Sequence, residues 1–209
     1  MNVLVFGAHG SVGEHVLKKL NQKNYKTMAI GSKENQLEDL KKDGATDAAV
    51  YDEQQNDSLL QNYEAVIFLT DINTKSDTDK TVLVDHRAVI NAVENAEKQG
   101  VKRFILMSAV RANESSDGTK RNIGAKEIPD ELLQKADVTY TVIRPSKLVD
   151  KPGQGTILLD AMINNDSAEI AREDVAAVLI EALENEATFN KTFDVSSGNV
   201  SIQQALSSL

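Results

Sequence analysis

The segment Gly7-Ala8-His9-Gly10-Ser11-Val12-Gly13 restricts what this chain can become more than any other stretch. It follows Val3-Leu4-Val5-Phe6, an apolar run that reads as a buried strand. It opens an amphipathic stretch, Ser11 to Lys23, whose apolar face carries Val12, Val16, Leu17 and Leu20. Glycines spaced three apart between a strand and a helix have a physical use. Gly7 permits the tight strand-to-helix turn, Gly10 removes a Cβ so that the backbone can approach a diphosphate, and Gly13 lets the helix pack close to the sheet. Unpaired amides at the helix start, with the helix dipole behind them, attract phosphate without a full positive charge. Gly7, His9, Gly10, Ser11, Val12 and Gly13 are therefore candidate contacts to a dinucleotide; the alternative is a tight turn with no ligand.

Downstream, strand and helix signals alternate. Strands are expected at 27–30, 47–51, 65–69, 102–107, 138–143 and 192–195, and helices at 34–42, 78–98 and 173–184, with Ser201 capping a last short helix. Ala65-Val66-Ile67-Phe68-Leu69 is apolar at every position, as strands covered on both faces are. This βαβ alternation predicts an α/β fold with one parallel sheet between two helical layers, its ligand site beyond the carboxyl ends of the strands. The 209 residues fit a single domain over 1–209. Within it, residues 150–170, with Gly153, Gly155 and Asn164-Asn165, read as a short lid on the substrate side.

Composition narrows the function. With no cysteine there is no disulfide framework, thiolate zinc site or cysteine nucleophile, which fits a reducing, cytoplasmic setting. Three scattered histidines suggest no metal cluster. No apolar run approaches the roughly 18 residues of a membrane helix, and the N-terminus lacks a signal-peptide layout. Net charge is −9, so the field repels nucleic acid and anionic membrane, and local donors must hold any anionic ligand. The expected partner is a small molecule.

Cofactor preference is read at the end of the second strand. An acid there binds the ribose 2′-hydroxyl of NAD. Here the chain reads Gly31-Ser32-Lys33, with no acid before Glu34. A hydroxyl and a cation suit a 2′-phosphate, so NADP(H) is expected over NAD(H); a solvated Lys33 at a helix start is the alternative. Asp52 is placed to accept from an adenine amino group or to close a turn.

The glycine spacing, Val101-Lys102-Arg103-Phe104, Tyr140-Thr141-Val142-Ile143-Arg144-Pro145 and Arg172-Glu173-Asp174-Val175-Ala176 occur in that order. Together, across residues 2 to 206, they resemble the atypical short-chain dehydrogenase/reductases. Within that superfamily the chain is most similar to the NAD(P)H-binding, NmrA-like branch and to flavin/biliverdin-IXβ reductases. The resemblance implies a Rossmann-like doubly wound sheet of strand order 3-2-1-4-5-6 and a small C-terminal lobe. It also implies cofactor contacts at Ser32 and Lys33, at Leu69, Thr70 and Asp71, at Met107, Ser108 and Ala109, and at Pro145. Active members carry Tyr-x-x-x-Lys, whose spacing sets both side chains on one helical face. The matching window here is Asn122-Ile123-Gly124-Ala125-Lys126, with Lys126 present and Asn122 in place of the tyrosine. Pro129 follows, and in a helix its ring opposes the Ala125 carbonyl. Ser108 matches the family's catalytic serine.

His86, on the helix face of Val82, Val89 and Val93, is a further candidate acid, with a packed core histidine as the competing reading. His15 lies on a polar face, and Arg172-Glu173-Asp174 reads as the start and cap of a helix. Reduction of an ordinary ketone needs a proton donor worth about 10²–10⁴-fold, which Asn122 cannot be. Reduced quinones and flavins are delocalised anions that take protons from water. The expected function is hydride transfer from NADPH to a quinone- or flavin-like acceptor; the alternative is a non-catalytic NAD(P)-binding redox sensor. The missing tyrosine speaks against sugar epimerisation.

Overall fold

The computed structural model describes residues 1–51, 60–70, 79–108, 132–165 and 167–209, residues 79–86 as helix backbone alone. The strands are β1 (Asn2–Phe6), β2 (Lys26–Gly31), β3 (Asp47–Val50), β4 (Ala65–Leu69), β5 (Arg103–Met107), β6 (Thr139–Pro145), β7 (Lys147–Val149), β8 (Thr156–Asp160), β9 (Glu169–Ala171), β10 (Lys191–Ser197) and β11 (Val200–Ser201). The helices are α1 (Ser11–Gln22), α2 (Leu37–Lys42), α3 (Asp79–Lys98), α4 (Arg172–Ala182) and α5 (Ile202–Ser207).

The main sheet has the order β11-β8-β10-β6-β5-β4-β1-β2-β3. The expected 3-2-1-4-5-6 arrangement forms six of its nine strands, parallel throughout from the β3 edge to β6, and β10 extends it in parallel beside β6. Residues alternate between two apolar layers, as the pleat requires. Val3, Val5, Ile67 and Ile105 pack with Val16 and Leu17 of α1 and Val175 and Leu179 of α4. Leu4, Phe6, Val66, Phe68 and Phe104 pack with Val89 and Val93 of α3. Phe6 stacks on Phe68 with centroids 5.1 Å apart.

The segment read as a lid is partly sheet. β8 pairs antiparallel with β10, and β11 with β8, while β7 and β9 form a separate parallel pair. Thr156-Ile157-Leu158-Leu159-Asp160 hides its strand period because Leu158 is 51 % exposed while Ile157 is buried. The helix expected at 34–42 divides into a 3₁₀ turn, Glu34–Gln36, and α2.

Arg103, within one of the segments that carries the family resemblance, is a buried staple. Its guanidinium donates to the carbonyls of Thr139 (3.2 Å), Ala182 (2.8 Å) and Leu183 (3.4 Å), and to the hydroxyls of Thr141 and Thr188. It also lies 4.5 Å from the Phe189 ring centroid. Burial without a carboxylate partner among these contacts pulls its pKa down to about 10. Among the described residues no helix is long and apolar enough to cross a membrane.

Candidate cofactor-binding site

The carboxyl ends of β1, β2, β4, β5 and β6 bring Gly7, Ser32, Leu69, Met107 and Pro145 to one edge of the sheet, where strand order reverses between β1 and β4. The three glycines there have different causes. Gly7 has φ +70°, and a Cβ on it would lie 2.1 Å from the Leu69 carbonyl oxygen. A Cβ on Gly13 would lie 2.1 Å from the Ala8 carbonyl oxygen, so the close contact at this glycine is with the loop after β1 and not, as expected, with the sheet. Gly10 is unlike both. Its backbone is extended (φ −78°, ψ 166°), open to any residue, and a Cβ would meet only the Gly7 carbonyl oxygen at an ordinary 3.6 Å.

Among the described residues, packing thus accounts for Gly7 and Gly13 and gives no reason for Gly10. A cradle that a Cβ would fill is what close approach of a diphosphate uses, so the loop fits a dinucleotide. The first bond of α1 runs from the Glu14 N–H to the Gly10 carbonyl at 3.3 Å, which leaves the N–H groups of Ser11, Val12 and Gly13 outside the helical ladder. Val12 is buried and offers only its backbone; Ser11 and His9 are exposed.

At the end of β2 the expected Ser32 and Lys33 are exposed. The Gln36 side-chain oxygen accepts from the Ser32 N–H (2.9 Å), the Ser32 hydroxyl (3.1 Å) and the Lys33 N–H (3.1 Å). The Ser32 hydroxyl and two backbone N–H groups of this segment therefore converge on one oxygen, of a residue the sequence reading did not single out, and the Lys33 ammonium is not among them. At the ends of β4 and β5 the Thr70 hydroxyl donates to the Met107 carbonyl at 2.7 Å, and the Ser108 N–H donates to the Ile143 carbonyl at 2.9 Å. Leu69, Met107, Ser108 and Pro145 are buried, so Leu69 and Met107 can offer a ligand their backbones alone. Asp52, Asp71, Ala109, Asn122 and Lys126 lie outside the described residues, as does the side chain of His86.

Arg172 enters the site from the far end of the chain. The sequence reading made Arg172-Glu173-Asp174 a helix start and cap. The start is correct, but the N-cap is Ala171 and none of the three side chains caps the helix. The Glu173 carboxylate accepts from the Gly153 N–H at 3.1 Å, which holds its pKa below the usual carboxylate range. Asp174, buried, accepts from the N–H groups of Gln154 (2.9 Å) and Gly155 (2.8 Å). Arg172 Nε donates to the Ser11 hydroxyl at 2.6 Å, and Nη1 donates to Asp150 at 2.8 Å. No local pattern signals a contact spanning 161 residues. A cavity of about 410 Å³ opens by β7 and β9, lined by Val149, Leu158 and Ile163 and by the charged Lys151, Glu169 and Asp174; none of the described glycine-loop or strand-end site residues lines it.

The family described as NAD(P)H-binding matches residues 7–186. The uncharacterized sugar epimerase YhfK of Bacillus subtilis is 31 % identical over 216 residues, covering 100 % of both chains. The structure of a putative NAD-dependent epimerase/dehydratase from Bacillus halodurans is 30 % identical, with a TM-score of 0.88 over 100 % of both chains. ChuY, an anaerobillin reductase from Escherichia coli O157:H7, shares the fold at 18 % identity, with a TM-score of 0.73 over 96 % of this chain and 98 % of that one.

Proposed function

Because this chain belongs to the NAD(P)H-binding family, we propose that it is an oxidoreductase that uses NADPH in preference to NADH to reduce a quinone- or flavin-like acceptor. The carrying observation is Gly10, a glycine that packing among the described residues does not require, in a loop whose other two glycines are tightly packed. Ser11, Val12 and Gly13 supply amides for the diphosphate. The Ser32 hydroxyl and the Lys33 ammonium, exposed at the end of β2 with no acid before Glu34, support the NADPH preference. When bound, the reduced dinucleotide supplies a hydride.

The acceptor class rests on Asn122, which cannot protonate an alkoxide, whereas a quinone or flavin needs no positioned acid. Purified protein is expected to oxidise NADPH with quinones or flavins and not with simple ketones. Turnover on ketones but not on quinones refutes the reading. The names of the two Bacillus relatives favour a second reading, nucleotide-sugar epimerisation or dehydration; conversion of a nucleotide sugar would establish it in place of the first.

A further inference from the structure

Arg172 is a cation that reaches the glycine loop at the residue that opens α1. Its Nε bonds the hydroxyl of Ser11, so the first residue of α4 meets the first residue of α1, and both helix N-termini face the same place. Its side chain is only 11 % exposed. The neighbouring acids are engaged elsewhere: Glu173 with the Gly153 N–H and Lys19, Asp174 with the 154–155 turn. Arg172 is left with Asp150, whose side chain is 87 % exposed. Among the described residues neither hydrogen of Nη2 has a partner. A well-held cation is thus paired with a poorly held carboxylate, and an ion pair so solvated on one side is easily exchanged.

We propose that Arg172 is the diphosphate clamp of this site and that Asp150 is a resident competing anion, displaced when the dinucleotide binds. Resting on the family's cofactor reading, this assigns a charged ligand that the glycine motif does not include. The guanidinium presents paired N–H donors in a fixed fork that matches two phosphate oxygens, which the point charge of a lysine does not. In a chain of net charge −9, one dedicated cation at the loop also offsets the repulsion that a diphosphate meets.

The test uses the full chain and three variants, Arg172→Gln, Arg172→Lys and Asp150→Asn. Calorimetric titration is done with NADPH, with NADH and with ADP-ribose, which keeps the diphosphate but lacks the nicotinamide. Thermal unfolding is followed without ligand. Arg172→Gln should weaken all three ligands about tenfold or more, and Arg172→Lys should recover only part of the loss. Asp150→Asn should tighten all three about two- to fivefold, since the lost competitor was a solvated ion pair. Wild-type affinity in Arg172→Gln overturns the proposal. So does unchanged or weakened binding in Asp150→Asn, a result readable even if Arg172→Gln does not fold. Failure of the wild-type chain to bind any dinucleotide sinks the cofactor reading itself. Binding without turnover on any acceptor sinks only the oxidoreductase reading.

Discussion

Replacing Gly10 with alanine separates a glycine kept for a ligand from glycines kept for the fold. The backbone at Gly10 is extended, and the nearest contact of an added Cβ is 3.6 Å. Losing glycine's freedom in the unfolded chain stabilises by about 0.4–1 kcal/mol at such a site. Alanine is a poorer N-cap than glycine, which costs roughly 0.5–1 kcal/mol. The two terms nearly cancel, so Tm without ligand should move by no more than about 2 °C in a chain of this size. Gly13→Ala drives a Cβ to 2.1 Å from Ala8 O and 2.5 Å from Ala8 C, backbone atoms that cannot rotate aside. It should cost about 1–3 kcal/mol or more. Gly7→Ala meets Leu69 O at 2.1 Å and also keeps φ +70°, a region that costs an alanine about 1–2 kcal/mol by itself. Thermal unfolding ranks the three variants, and titration with NADPH follows the site. Gly10→Ala should keep its Tm and lose at least about tenfold in NADPH affinity, roughly 1.4 kcal/mol. Unfolding as low as that of Gly13→Ala, or binding with wild-type affinity, refutes the reasoning.

Three further outcomes follow from the geometry. Arg103→Met leaves the acceptors of Thr139, Ala182, Leu183, Thr141 and Thr188 short of a buried donor; it should cost about 3–5 kcal/mol in urea unfolding, and a cost under about 1 kcal/mol would contradict the staple. Asp174→Ala removes the acceptor for two N–H groups of the 154–155 turn and should destabilise by about 3–5 kcal/mol, with faster amide exchange at Gln154 and Gly155. Burial, helped by Glu184, raises the Tyr25 phenol to about 12. The folded chain keeps that proton where the unfolded chain releases it, so the stabilisation is complete below pH 10 and lost as pH rises towards 12. Tyr25→Phe should flatten this alkaline loss in denaturant melts across that window, and an unchanged slope would remove Tyr25 as its source.

The glycine loop and the strand periods were legible because they are local. The spacing of Gly7, Gly10 and Gly13 and the unbroken apolar run Ala65–Leu69 report backbone conformation and burial to any reader of the chain. Even there the spacing could not say that Gly7 and Gly13 serve contacts within the protein while Gly10 does not; that needed the positions of Leu69 and Ala8. Strand β8 was missed because the apolar Leu158 stands in solvent beside the buried Ile157, so hydrophobicity does not alternate with burial along it. Gln36 appeared only when its oxygen was seen to gather three donors. Arg172 looked like the first residue of a helix, and by local rules it is. Its place beside Ser11 comes from the sheet order, which packs α4 against α1 although the two are far apart in the chain. Periodicity records which face of an element is buried. Which distant side chain that face meets is decided by how the elements assemble, and that is where the site obtained its cation.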